Sequence, residues 1–201
     1  AYADLLPYFK RLETTALGED AYRGRQGPVH ISCLSDMPDA LSDAFHDACV
    51  AAGIPANPDY NGARYEGVGY LQLNTRDGRR CDTATAYLQG RRADRLHVVT
   101  EAIAAKILFE GRRAVGVEYW RDGQPVRAMA QREVIVSAGP IKTPQLLELS
   151  GVGQGERLQG LGITPVHHLP GVGENLVDHV QTRVTYQATQ PVGLNQVVGH
   201  P

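Results

Sequence analysis

Apolar residues recur at helical spacing in the first part of the chain. Leu5, Leu6, Tyr8, Phe9 and Leu12 predict an amphipathic helix over Ala3–Leu12. Leu41, Phe45, Ala48 and Ala52 predict a second from Pro38 to Ala52, stopped by Gly53 and Pro55. Asp82 is a good N-cap for a short helix over Thr83–Leu88. Short strand patterns stand at Val29–Ser32 and Gly67–Asn74. Arg23–Pro28 reads as a Gly/Arg-rich loop, Asn57–Gly62 as loop chemistry and Asp77-Gly78 as a hairpin turn.

After residue 95 the period shortens. Leu96–Thr100, Ala102–Phe109 and Ala114–Trp120 read as successive strands, the last two joined through Glu110-Gly111-Arg112-Arg113. Asp122-Gly123 turns the chain into Pro125–Ala130. This antiparallel meander leads into Glu133–Ser137, where consecutive β-branched Val134, Ile135 and Val136 predict a strand covered on both faces. A small helix over Glu156–Leu161, strands over Ile163–His167 and Gln181–Ala188, and a turn-rich Leu169–His179 complete the pattern. The expected class is α/β with α+β mixing, without internal repeat or low-complexity tract.

The most informative stretch runs from Gly139 to Gly153. The run before it ends on Ser137, and Ala138 and Gly139 then remove side-chain bulk. Backbone can approach a ligand there, and glycine reaches dihedrals closed to other residues. Thr143 is the expected N-cap and Pro144 the first helical residue. Leu146, Leu147 and Leu149 would form an apolar face, and Gly151 would end the helix. A strand, a small-residue turn and a helix together can bring backbone against a cofactor. They also form an ordinary packed unit of many α/β folds.

Composition mainly excludes. The 201 residues carry a net charge of −2, and the basic residues are scattered, which argues against nucleic acid. Arg79-Arg80, Arg91-Arg92 and Arg112-Arg113 are expected in exposed turns. No apolar run approaches the roughly 18 residues of a membrane span, and the start has no secretory pattern. The three cysteines, Cys33, Cys49 and Cys81, offer neither a metal pair nor a disulfide framework, which implies a reduced, intracellular setting. Cys49 reads as a small core residue. The seven histidines show no ligand spacing, and His167-His168 ends a short strand. The chain starts inside a helical pattern and finishes on Gly199-His200-Pro201, so an internal piece of a longer protein is expected.

Gly139–Gly153 resembles the second signature of the glucose–methanol–choline (GMC) oxidoreductases, with every fixed position filled. Further words agree in order: Leu6-Pro7-Tyr8-Phe9-Lys10, Asp59-Tyr60-Asn61-Gly62, Gly67-Val68-Gly69, Ala86-Tyr87-Leu88, Arg113–Tyr119 and Pro170–Leu176. The whole chain resembles the middle of such an enzyme, closest to the bacterial alcohol and choline dehydrogenase branch. The resemblance implies part of a Rossmann-like domain for flavin adenine dinucleotide (FAD), and part of a substrate domain built on an antiparallel sheet with helices. Residues 1–94 would belong to the substrate part, 95–165 to the FAD part, and 166–201 would cross back.

By resemblance, Ala104 matches a position whose backbone meets the adenine of FAD; it is equally a plain strand residue. Ser137, Ala138 and Gly139 match the turn against the adenosine–pyrophosphate region. Asn175, Asp178 and His179 match a loop on the cofactor side of the substrate cavity, or serve local turns. Tyr60, Tyr65 and Tyr70 would line that cavity or pack in the core. The implied reaction is oxidation of an alcohol CH–OH group, a base taking the proton while hydride passes to the flavin. The reoxidising partner would be a quinone or oxygen. A cytoplasmic protein is implied, with peripheral membrane association of the intact enzyme as an alternative.

The dinucleotide fingerprint, the first GMC signature and the C-terminal histidine pair of the family are absent. Gly151–Glu156 and Gly171–Leu176 fail as G-x-G-x-x-G loops at the last position and in context. No catalytic base is therefore expected here, and the 201 residues alone are expected to be inactive. The rival expectations are a non-catalytic fragment and a flavin-free binding module of the same fold. A nicotinamide dehydrogenase lacks its fingerprint.

Overall fold

A computed structural model describes residues 1–37, 39–90, 96–185 and 189. The chain divides into two compact units, Ala1–Asp94 with Thr185–Pro201 and Arg95–Val184. Among the described residues no helix is long and apolar enough to cross a membrane.

The first unit opens with helix α1 (Tyr2–Leu12) and strand β1 (Glu13–Thr14), which pairs in parallel with β2 (Val29–His30). The loop between them is organised by two arginines. Arg25 donates to the carbonyls of Thr15 (2.5 Å), Leu17 (2.7 Å) and Gly18 (2.6 Å), satisfying three backbone acceptors of the turn. Arg23 lies inside, only 3% exposed. The expected loop at Arg23–Pro28 is thus partly core, because Glu13 and Asp59 supply the counter-charges that let an arginine be buried.

The predicted strand at Val29–Ser32 breaks at Ile31 into β2 and β3 (Ser32–Cys33). Helix α2 (Ala40–Ala51) is capped by Asp39, whose side chain accepts from Ser42 N–H at 3.0 Å. Its apolar residues Leu41 and Phe45 remain exposed, and Cys49 is half-buried rather than core; the buried cysteines are Cys33 and Cys81. The strand expected over Gly67–Asn74 shrinks to β4 (Gln72–Leu73), antiparallel to β3. Val68 makes a single bridge with Ala56 instead. Next, β5 (Thr75–Arg76) and β6 (Arg79–Arg80) form a hairpin closed by Asp77 at φ 51° and Gly78 at φ 70°, the mirror-image turn that Asp-Gly favours. Arg79 and Arg80 therefore sit in a strand after the turn; Arg91 and Arg92 lie outside the described residues. Helix α3 (Thr83–Tyr87) is capped as expected, Asp82 accepting from Thr85 N–H at 2.7 Å.

The second unit is built on a three-stranded antiparallel sheet, β7 (Ile103–Glu110), β8 (Arg113–Arg121) and β9 (Gln124–Met129), with β7 and β9 at its edges. Gly111 at φ 58° turns β7 into β8, and Asp122-Gly123 turns β8 into β9. Glu118 on the central strand stands in register with Lys106 and Arg127 and bridges to both, at 3.9 and 2.9 Å. Cross-strand charge pairs of this kind help hold a register. The β7–β8 ladder is irregular at two places, between Ala104 and Lys106 and between Leu108 and Phe109.

Two predicted strands of this unit are absent. Among the described residues Leu96–Thr100 pairs with nothing, and Glu133–Ser137 forms no strand, with Ile135 79% exposed and Val134 and Val136 half-buried. A strand exists only as part of a ladder, and the described residues contain no neighbour for either segment. Helix α4 (Gly139–Leu149) follows. Strand β10 (Val152–Gly153), helix α5 (Gly155–Gly160) and strand β11 (His167–His168) complete the unit, β10 and β11 pairing in parallel. The strand expected over Ile163–His167 is confined to that last pair. Residues 181–185 form no strand, and 186–188 lie outside the described residues.

The apolar core of this unit is made by Leu158, which is fully buried, with Ile107, Leu146, Val152 and Val172 also buried. The mixed α/β class holds, but the parallel pairing consists of two-residue ladders.

Candidate nucleotide site at the start of α4

Helix α4 begins five residues earlier than its sequence predicts. Ala138 is the N-cap and Pro140 lies in the first turn, where a missing N–H costs nothing; Thr143 and Pro144 are inside the helix. Gly139 makes the early start possible. It holds φ +84°, closed to most side chains, and the chain enters the helix directly from it. A side chain built there would meet nothing within 4 Å, so the turn borders open space.

The first turn carries an unusual charge pattern. Ala138 offers no capping side chain, so the leading N–H groups have no side-chain acceptor. A helix start normally attracts Asp or Glu, but this first turn has no acidic residue and exposes Lys142 beside it. Uncapped N–H groups, the positive end of the helix dipole and a lysine together favour an anionic oxygen cluster such as a pyrophosphate.

The far end of α4 is fixed in the core. Ser150 is buried, and its Oγ donates to the Leu146 carbonyl at 2.5 Å while accepting the Ile107 N–H at 2.8 Å. Gly151 at φ +86° ends the helix, and a Cβ there would stand 2.5 Å from the Thr164 carbonyl oxygen. The sequence reading missed both Ser150 and Lys142. The only available signal for Ser150 was its place just before the terminating glycine.

The other predicted residues are placed as follows. Ala104 lies exposed on edge strand β7, in register with Tyr119 and next to the first ladder irregularity. Ser137, Ala138 and Gly139 are exposed together at the start of α4. Asn175 has φ 58°, a left-handed conformation asparagine tolerates. Asp178 accepts the His179 N–H at 2.8 Å, a local turn bond, and all three residues of that loop are exposed. Among the described residues no hydrogen bond or ladder pair joins this loop to Ala104 or to Ser137–Gly139.

In the first unit Tyr60 accepts the Gln72 N–H at 2.8 Å, Tyr65 is 82% exposed, and Tyr70 donates to Asp43 at 2.5 Å. That bond and partial burial raise the Tyr70 pKa to about 12. None of the three lines either of two clefts found among the described residues of this unit. The larger, of about 630 Å³, gathers His30, Arg76, Arg79, Arg80 and Cys81, and the smaller, of about 280 Å³, has Tyr22, Asn57, Asp59 and Arg64 in its wall.

Comparison with known proteins gives a consistent picture. The family profile for GMC oxidoreductases matches residues 1–181. An oxygen-dependent choline dehydrogenase of Paraburkholderia xenovorans is 44% identical over 195 residues, which is 96% of this chain and 35% of the relative. Among solved structures, pyridoxine 4-oxidase from Mesorbium loti superposes with a TM-score of 0.75 at 29% identity, over 85% of this chain and 34% of that one. An FAD-dependent oxidoreductase from Chaetomium thermophilum gives 0.73 at 27% identity, over 85% of this chain and 32% of its own. The chain thus spans about a third of the length of the relatives it matches.

Proposed function

The chain belongs to the GMC oxidoreductase family, and from that premise we propose that it forms one wall of an FAD site in an enzyme that oxidises an alcohol, with choline or a choline-like alcohol as the substrate class. The observation that carries this reading is the turn at Ala138-Gly139: a left-handed glycine, open space beside it, and an uncapped, lysine-flanked helix start.

The residues present fit such a group. The N–H groups of Gly139, Ile141 and Lys142 would hold the pyrophosphate, Pro140 having none to offer, with Ser137 and Ala138 against the adenosine side. The backbone of Ala104, on the free edge of β7, would meet the adenine; a backbone contact needs no particular side chain there. Lys142 adds positive charge where phosphate oxygens would lie. Asn175, Asp178 and His179 would border the substrate side. Bound there, FAD supplies the hydride acceptor for the CH–OH group. The residues described here position and neutralise the nucleotide; the group that takes the hydroxyl proton is assigned to none of them. The reoxidising partner in the intact enzyme would be a quinone or oxygen, in a cytoplasmic setting.

The test is made on the full-length protein. Purified and supplied with FAD, it is expected to take up flavin and show its visible absorbance. With an alcohol and an artificial electron acceptor, it is expected to turn over choline-like substrates. A colourless protein that takes up no FAD would overturn the reading in favour of a flavin-free module of the same fold.

A further inference from the structure

Among the described residues strand β7 is an edge strand, so its outward N–H groups have no ladder partner there. One of them, at Ile107, is buried and donates to Ser150 Oγ at 2.8 Å. Ser150 closes its own account by donating to the Leu146 carbonyl of α4 at 2.5 Å. One hydroxyl thus ties the free edge of the meander to the last turn of α4.

The position of this tie on β7 gives it weight. Ile107 is the middle of Lys106–Leu108, which pair regularly with Glu118, Val117 and Gly116. The register slips on both sides, before Lys106 and after Leu108. Ala104 lies just beyond the first slip, paired with Tyr119. The Ser150 bond holds the regular stretch Lys106–Leu108 from the side opposite β8. The same helix carries Ala138-Gly139 at its start, eleven residues being a rigid spacer of about 16 Å.

The geometry points to Ser150 as a positioning residue for the flavin nucleotide: it fixes the spacing between the Ala104 backbone and the Ala138-Gly139 turn. This rests on the FAD reading above. Ser150 touches no part of the nucleotide and acts through Ile107 and α4.

The experiment uses the full-length protein, stripped of flavin, with Ser150→Ala, Ser150→Cys and Ser150→Thr. Cysteine keeps the size of serine but is a weak acceptor, so it reads the same loss if the alanine variant does not fold. Threonine keeps the hydroxyl. Amide hydrogen exchange at Ile107 is expected to speed up at least tenfold in the alanine and cysteine variants. Affinities for FAD and for ADP should fall together by about tenfold, the scale of one buried hydrogen bond, and the threonine variant should restore both. Leu158→Val, a core change that keeps the Ser150 hydroxyl and both of its partners, should lower the melting temperature without moving either affinity. Unchanged exchange at Ile107 would show that the tie does not exist. Faster exchange with unchanged affinity would leave Ser150 a structural residue and sink the inference. Failure of the unsubstituted protein to bind FAD would sink the flavin reading instead, while the exchange result would stand on its own.

Discussion

Arg23 grips Glu13 with two arms of its guanidinium, Nε donating to Oε1 at 2.9 Å and Nη2 to Oε2 at 3.1 Å. Its remaining arm, Nη1, reaches Asp59 and also Gln72 Oε1 at 3.0 Å. One buried cation therefore joins β1, the loop at Asp59 and β4, three segments far apart in sequence.

Replacing Arg23 by Met should destabilise the protein by about 3–5 kcal/mol, because two largely buried carboxylates lose their cation. Arg23→Lys should recover only part of this, since an ammonium cannot reproduce the fork on Glu13. Denaturant unfolding of the three proteins measures the series. A methionine variant as stable as the parent would show that the network contributes nothing.

Gly139 and Gly151 share a left-handed backbone but differ in surroundings. Gly139→Ala should cost about 1–2 kcal/mol, the strain of that conformation alone, because open space receives the methyl. Gly151→Ala adds a collision with the Thr164 carbonyl oxygen and should cost distinctly more. In FAD titration the order should reverse, with Gly139→Ala the more damaging. Melting curves and titrations on the same pair decide it.

Truncating Leu158 to Ala should destabilise by about 2–5 kcal/mol, since its side chain is fully buried and α5 leans on it. Thermal unfolding followed through Trp120 fluorescence would report the second unit directly. A change below about 0.5 kcal/mol would mean that the site stays accessible to water in solution.

Tyr70 should be among the last tyrosines to ionise. Its hydrogen bond to Asp43, then partial burial and the Asp43 charge, raise its pKa from 10.0 to about 12. A folded-state pKa raised in this way contributes stability in full below pH 10. The contribution is lost as pH climbs from 10 towards 12. Tyrosinate absorbance should show a late phase that moves towards pH 10 in Asp43→Asn. A late phase unaffected by that change would assign it to another residue.

Local chemistry was legible wherever a few neighbouring residues suffice. The turns at Asp77-Gly78 and Asp122-Gly123, the Asp82 cap and the Gly151 stop all follow from backbone preferences that act within four residues. The meander was legible for the same reason, since its strands pair across short turns. The family words were legible as well, and they carry the fold class and the flavin reading.

What failed depends on partners distant in sequence. Val134–Val136 has the composition of a covered strand, yet among the described residues it has no neighbour to pair with, and it forms no strand and leaves Ile135 exposed. Arg23 looks like any loop arginine until Glu13 and Asp59 are brought around it. Ser150 looks like a helix-end serine until Ile107 arrives with an unpaired N–H. The start of α4 misled because Thr143-Pro144 imitates a cap, while the left-handed Gly139 lets the helix begin earlier. By itself the sequence determined the turns, the caps, the meander and the family, because those rest on local dihedral and hydrogen-bond preferences. Tertiary structure alone decided which charges are buried and which strand edges are tied, because each of those needs a partner brought from elsewhere in the chain.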